Sequence, residues 1–201
     1  MSEDAGDGPR TWIAPARLDG REVDAFARFL VVSVAESGRD GLPHFALSRR
    51  LSQPDVRRGF LDRLSRRLDE PSWGRSWLLW AEGAPADRTS PYPTKPRVVG
   101  YAELKGGRWA AEMHRATLGM GILGRFTGRG HGPKLLGLAI DWAKENGLEN
   151  IDLGVFATNA PARKLYERLG FKVIGVRPRA YRLEGDVEID DVLMTLDLRA
   201  P

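Results

Sequence analysis

The sequence predicts one mixed α/β (α+β) domain, a sheet flanked by helices. Three observations predict it. The first is a strand, glycine loop and helix in succession: residues 116–123 (ATLGMGIL) are rich in apolar side chains, 124–134 (GRFTGRGHGPK) form the loop, and 133–146 (PKLLGLAIDWAKEN) have helical spacing. The second is another strand and helix directly after it, 151–156 followed by 159–170. The third is a set of apolar runs of strand length at 76–82, 97–105, 172–176 and 189–198.

Taken in order, residues 1–9 are polar and glycine-containing, read as a disordered tail ahead of a single domain over 10–199. Residues 10–17 (RTWIAPAR) make a short first strand. Asp19-Gly20-Arg21-Glu22 has the pattern of a capping box for a helix running to Glu36, with Val23, Phe26, Ala27, Leu30 and Val34 on its buried face. Ser52-Gln53-Pro54-Asp55 opens a second helix to Leu68, burying Val56, Phe60, Leu64 and Leu68. Arginines at 49, 50, 57, 58, 63, 66 and 67 outnumber Asp55 and Asp62 there. They read as a solvated helix face or as a patch for an acidic partner, although no aromatics interleave to stack nucleic-acid bases.

Strands follow at 76–82 and 97–105, separated by a proline-rich loop over 84–96. Trp73, Trp77 and Trp80 read as core, with Trp73 able to line a pocket. Gly106-Gly107 turn the chain into a long segment over 108–123, where Gly119 and Gly121 signal a bulge or a close backbone approach. In the next helix Leu135, Leu138, Ala139 and Trp142, three, four and seven residues on, form the expected apolar stripe. Strands at 172–176 and 189–198 close the chain, joined by a long connection over 177–188.

Composition sets limits on function. A chain of 201 residues, 42% hydrophobic and 29% charged, is one ordinary globular domain. It has no apolar run long enough to span a membrane, and its acidic start is unlike a signal peptide, so a cytoplasmic protein is expected. With no cysteine there is no disulfide and no thiolate nucleophile, and His44, His114 and His131 lack metal-ligand spacing. A net charge of +4 suits a polyanionic ligand.

The glycine loop carries the strongest chemical signal. Glycines let backbone approach a ligand closely, and first-turn N–H groups have no partner inside the helix, so loop and helix together form an anion site. Pro133 suits the first turn, where its missing donor costs nothing. A dinucleotide fingerprint fits poorly, because Pro133 takes the place of its third glycine, and Pro133-Lys134-Leu135 does not make a Walker loop. The alternative is a glycine turn that binds nothing.

The pairing of R-G-x-G-x-x-L-L (Arg129–Leu136) with N-x-x-A-x-x-L-Y-x-x-x-G-F (Asn159–Phe171) resembles the GNAT superfamily of acetyl-CoA-dependent N-acetyltransferases. The resemblance is close over 116–198. One position departs: Thr127 stands where that family usually carries Arg or Gln. The resemblance implies a central mixed, mostly antiparallel sheet that splays between two parallel strands. It also implies acetyl-CoA as co-substrate, its pantetheine arm in the splay, and a primary amine as acceptor, attacking directly in a ternary complex.

Carried onto this chain, the coenzyme contacts are Gly128, Arg129, Gly130, His131, Gly132 and Lys134 in the loop. A backbone N–H near Ile122–Leu123 serves the thioester carbonyl, and Asn159 serves as a coenzyme contact or as a helix cap. Tyr166 is the candidate acid to the leaving thiolate. The general base stays open among Glu103, Glu112, His114 and a water chain, since Thr117 stands where many relatives carry glutamate. In the family the first two helices flank the acceptor site, which makes 40–51 a candidate substrate wall and puts the connection over 177–188 near the acceptor side. A non-catalytic acyl-CoA sensor and a basic RNA-associated module are the rival classes. The acceptor, the base and a choice between monomer and homodimer lie outside what the sequence specifies.

Overall fold

The computed structural model describes residues 9–36, 52–82, 96–182 and 186–199. The expected tail, the proposed substrate wall at 40–51 and most of the proline-rich loop fall outside them. Within them the chain runs β1 (Arg10–Pro15), α1 (Gly20–Glu36), α2 (Gln53–Ser65), β2 (Gly74–Glu82), β3 (Arg97–Gly106), β4 (Arg115–Ile122), α3 (His131–Glu145), β5 (Asn150–Phe156), α4 (Ala160–Arg168), β6 (Lys172–Arg182) and β7 (Glu188–Asp197). Single 3-10 turns at Ala110–Glu112 and Gly124–Phe126 precede and follow β4. The strands form one sheet in the order β1-β2-β3-β4-β5-β7-β6. This is the mixed, mostly antiparallel architecture expected.

The parallel contact lies between β4 and β5 and is short. It pairs Arg115 with Asn150, Ala116 with Ile151 and Thr117 with Asp152, and there it stops. Beyond it the two strands diverge. β4 keeps unbroken register with β3 from Ala116 to Ile122, so Gly119 and Gly121 mark no bulge on that side. Their lack of side chains shows on the sheet face instead: Glu103 lies beside Gly119 and Tyr101 beside Gly121, both on the side covered by α1 and α2.

The helices start as expected and differ in detail. Asp19 caps α1 by accepting from the Arg21 N–H, but the Glu22 carboxylate passes over it to the Arg17 N–H, so the reciprocal box is not formed. Ser52 caps α2 through the Asp55 N–H. That helix ends at Ser65, because Arg66 turns to extended backbone, and Leu64 and Leu68 are only half-buried beside the enclosed Val56 and Phe60. On α3 the buried set is Leu135, Leu136, Ala139 and Ala143, while Leu138 faces out. At roughly 100° per residue this face centres between 139 and 143, which leaves Leu138 well round the helix and Trp142 at its rim. Trp142 packs there on Trp73 and Trp77, with ring centres 5.7 and 5.8 Å away. Trp73 is fully buried, so it belongs to the core.

The described arginines of the 49–67 run pair within the chain: Arg57 with Asp24, Arg58 with Asp55, Arg63 with Glu103, Arg66 with Asp62 and Arg67 with Asp69. The expected connection over 177–188 is mostly strand. β6 continues to Arg182 through register shifts that absorb Pro178 and Arg179, the latter at φ 51°. An edge strand tolerates proline at such a place, where a ladder hydrogen bond is already missing. Among the described residues no helix is long and apolar enough to cross a membrane.

Candidate active site

The loop after β4 begins with the 3-10 turn at Gly124–Phe126. Thr127 closes that turn, its N–H and its hydroxyl both donating to the Gly124 carbonyl, the hydroxyl at 2.6 Å. The residue that departs from the family pattern is therefore committed to the loop's own shape. Phe126 is buried below, with the guanidinium carbons of Arg125 and Arg129 each 5.7 Å from its ring centre. Gly128 and Gly130 then take φ of 72° and 77°, left-handed backbone that side chains disfavour. Gly130 is the N-cap of α3, and no side chain caps the helix.

Among the described residues the N–H groups of Gly130, His131 and Gly132 have no partner, which leaves them for a ligand. A Cβ on Gly128 or Gly130 would meet no atom within 4 Å, so the cradle is open above both. Arg129 and Lys134 bring positive charge. Partial burial holds His131 below its usual pKa, and those two cations add to the effect. Oriented N–H groups with cations beside them fit a phosphate. Gly132 does different work: a Cβ there would lie 3.0 Å from Leu165 Cδ2, so this glycine lets the start of α3 close onto α4.

At the end of β4 the Leu123 N–H donates to the Val99 carbonyl at 2.9 Å, so that donor is used by the sheet. Donors alternate along a strand. Met120 and Ile122 therefore direct their N–H groups to the opposite side, where the pairing with β5 has already ended. Of the expected pair Ile122–Leu123, Ile122 is the one that offers a donor to the splay.

α4 carries Asn159 and Tyr166. The Asn159 side chain accepts from the Ala162 N–H at 3.3 Å, the helix-cap role. Tyr166 is buried, its ring 5.7 Å from that of Phe171, and burial pushes its hydroxyl up to about 12. No described residue hydrogen-bonds that hydroxyl. Burial raises the Tyr101 phenol, and the neighbouring Glu103 carboxylate adds to the effect, as does Tyr166.

The expected carboxylates are not brought together. Glu103 is buried under α2 and accepts from Arg63 Nε at 2.8 Å. Glu112 accepts the N–H groups of Arg108 and Trp109 before β4 begins, at the opposite end of that strand from Ile122. His114 is exposed at the same end. Thr117 is instead at the splay.

A cleft of about 510 Å³ opens on the sheet face at the point where β4 and β5 part. Its walls include Arg115, Thr117, Asp152, Arg177, Tyr181 and Asp191, of which the sequence singles out Thr117 and, through the connection expected near the acceptor side, the segment that holds Arg177 and Tyr181. A signal was present. In 150–156 (NIDLGVF) the buried residues alternate with Asp152 and Gly154, and Asp191 is a charge inside a closing strand. Among the described residues no group of three His, Asp or Glu side chains is placed to hold a metal.

A family model described as the acetyltransferase (GNAT) family matches residues 52–171. Among solved structures, an acetyltransferase of the GNAT family from Streptococcus pneumoniae is 21% identical with a TM-score of 0.71, over 94% of this chain and 99% of that one. A GCN5-related N-acetyltransferase from Kribbella flavida is 23% identical with a TM-score of 0.69, over 93% and 97%. The yncA protein from Salmonella typhimurium, solved with its cofactor acetyl-CoA, is 18% identical with a TM-score of 0.71, over 96% of both chains. At these identities the likeness is one of fold. No curated protein matches the chain by sequence.

Proposed function

This chain belongs to the acetyltransferase (GNAT) family and is an acyltransferase enzyme, and on that premise we propose that it moves the acetyl group of acetyl-CoA to a primary amine by direct attack in a ternary complex. The observation that carries this reading is the uncapped, glycine-led start of α3 beside the gap where β4 leaves β5. Amides of Gly130, His131 and Gly132, with Arg129 and Lys134, would hold the coenzyme's phosphates. Acetyl-CoA supplies an activated thioester.

The Ile122 N–H faces the gap and is the donor for the thioester carbonyl, where charge develops during attack. Tyr166 is the donor for the departing sulfur. Burial raises its phenol to about 12, so the proton is in place at neutral pH and the hydroxyl can donate to the sulfur as charge reaches it. Tyr166 therefore acts by hydrogen bonding. The thiolate is protonated from the ammonium that the acceptor nitrogen becomes after attack, directly or through solvent.

Calorimetry with coenzyme A tests the loop. Gly130→Val forces a branched side chain into left-handed backbone and onto the open cradle. Two lost charge-assisted N–H contacts at about 1.5–3 kcal/mol each should weaken binding by at least about a hundredfold. Wild-type affinity in that variant would show that the loop does not carry the phosphates. Gly132→Val is the poorer probe, because its side chain strikes Leu165.

A further inference from the structure

The cleft at the splay is lined by two ion pairs that differ in what they leave open. Asp152 is saturated. Its Oδ2 accepts from Arg115 Nε at 2.7 Å, and its Oδ1 accepts from Arg115 Nη2 at 2.9 Å and from the Thr195 hydroxyl at 2.7 Å. Asp191 is only half used. Its Oδ2 takes Arg177 through both Nε and Nη2, with the Tyr181 hydroxyl at 3.5 Å, while its Oδ1 has no hydrogen bond to any described residue. The residue is 1% exposed. Leaving one oxygen of so enclosed a carboxylate without a donor is costly unless a ligand or water supplies one.

The place left for that donor is specific. A Cβ on Gly154 would lie 2.7 and 2.8 Å from the two oxygens of Asp191, so the absence of a side chain on β5 leaves the carboxylate uncovered there, and Oδ1 is the oxygen of the two without a described donor. Gly154 is exposed and lines the same cleft, two residues beyond the last β4–β5 pair. The complementary valence is also present. Arg115 and Arg177 each spend Nε and Nη2 on their aspartates and keep Nη1 without a described partner, and both side chains are partly exposed to the cleft. The two pairs sum to zero charge, which gives a dication no advantage over a neutral amine. What the cleft offers is one open carboxylate oxygen and open guanidinium edges a short way off.

We propose that this cleft is the acceptor site, that Asp191 Oδ1 seats the acceptor nitrogen beside Gly154, and that Arg115 and Arg177 seat an anionic group on the same molecule, so that the acceptor is a small zwitterion of the α-amino-acid kind, whose ammonium gives one proton to solvent before the neutral nitrogen attacks. The inference rests on the acetyltransferase reading and names its substrate class. Asp191 acts as a positioning residue, and Gly154 determines specificity by remaining bare.

The test is thiol release from acetyl-CoA with three matched sets of acceptors: free α-amino acids, their α-amides, and the primary alkylamines that lack the carboxylate. The expected result is at least one α-amino acid preferred over its amide and its alkylamine by tenfold or more in kcat/KM. Gly154→Ala should raise the KM for that amino acid at least tenfold with coenzyme affinity unchanged, and Asp191→Asn should do the same. Arg115→Gln should shrink the amino-acid-to-amide ratio at least fivefold. That ratio does not depend on how much of the variant is folded. Equal turnover of amides or alkylamines, an unchanged KM in folded Gly154→Ala, or an unchanged ratio in Arg115→Gln overturns the proposal. So does failure of every α-amino acid in a protein that binds coenzyme A and acetylates some other amine, and that outcome leaves the acetyltransferase reading standing. Failure to bind coenzyme A at all removes both.

Discussion

Tyr166→Phe separates a working hydroxyl from a packed ring. The ring is buried, 5.7 Å from Phe171 between centroids, and phenylalanine keeps that contact. The hydroxyl bonds no described residue, so its removal orphans no described partner. Stability should therefore change by less than about 1 kcal/mol, a shift of at most about 2–4 °C in Tm for a domain of this size. The effect belongs in turnover. A hydrogen bond to a developing thiolate is worth about 1.5–3 kcal/mol, or about 10–150-fold in kcat. Coenzyme affinity should stay the same, since the bond strengthens only as charge reaches the sulfur. The pH dependence has a definite sign. A hydroxyl raised from 10 to about 12 stays protonated across the working range, and its stabilising effect is lost only as pH climbs from about 10 through about 12. The ratio of wild-type to variant kcat should accordingly be flat from neutral pH up to about 9. Steady-state thiol release, a melting curve and a coenzyme titration on one preparation supply the three quantities. Unchanged kcat with a lowered Tm would mean that Tyr166 is core and nothing more.

Three further outcomes follow from the same geometry. Thr127→Arg removes the hydroxyl bond to Gly124 and adds an exposed charge, so coenzyme affinity by calorimetry should move by no more than about 1–2 kcal/mol; a hundredfold change would mean that a side chain governs the loop. Arg63→Gln strands the buried Glu103 carboxylate, which should lower the unfolding free energy in denaturant by about 3 kcal/mol, with an unchanged midpoint ruling out the buried pair. His131, held below its usual pKa, should have that value raised by bound phosphate. Coenzyme binding should then take up a proton, and affinity should grow as pH falls below 7. Calorimetry in buffers of different ionisation enthalpy measures the uptake, and zero uptake refutes contact with His131.

The order and identity of the elements were legible because their signals are local. Ser52 and Asn159 both cap the helices they were expected to cap, and Gly170, at φ 92°, ends α4 as a C-cap glycine does. What was not legible depends on registry between distant strands. The spacing of Leu135, Leu138 and Trp142 is compatible with more than one face, and packing against Trp73 and Trp77 selects among them. Residues 177–182 read as part of the connection over 177–188, and only pairing with β7 shows them to be strand, with a register shift at Pro178 and Arg179. Asp191 escaped for the same reason. Its meaning lies in Gly154 on one neighbour and Arg177 on the other, and nothing in 188–197 alone announces either.

The account depends most on the claim that an amine receives the acetyl group directly. Acetyl-CoA should be incubated with the purified protein and a mixed pool of amines, with free thiol and acetylated amine quantified by mass spectrometry in the same sample. The account predicts thiol and acetylated amine in equal amounts, no thiol when the amines are omitted, and no acetyl group left on the protein. Thiol released without amine, or an acetylated protein that later passes its acetyl group on, would contradict it.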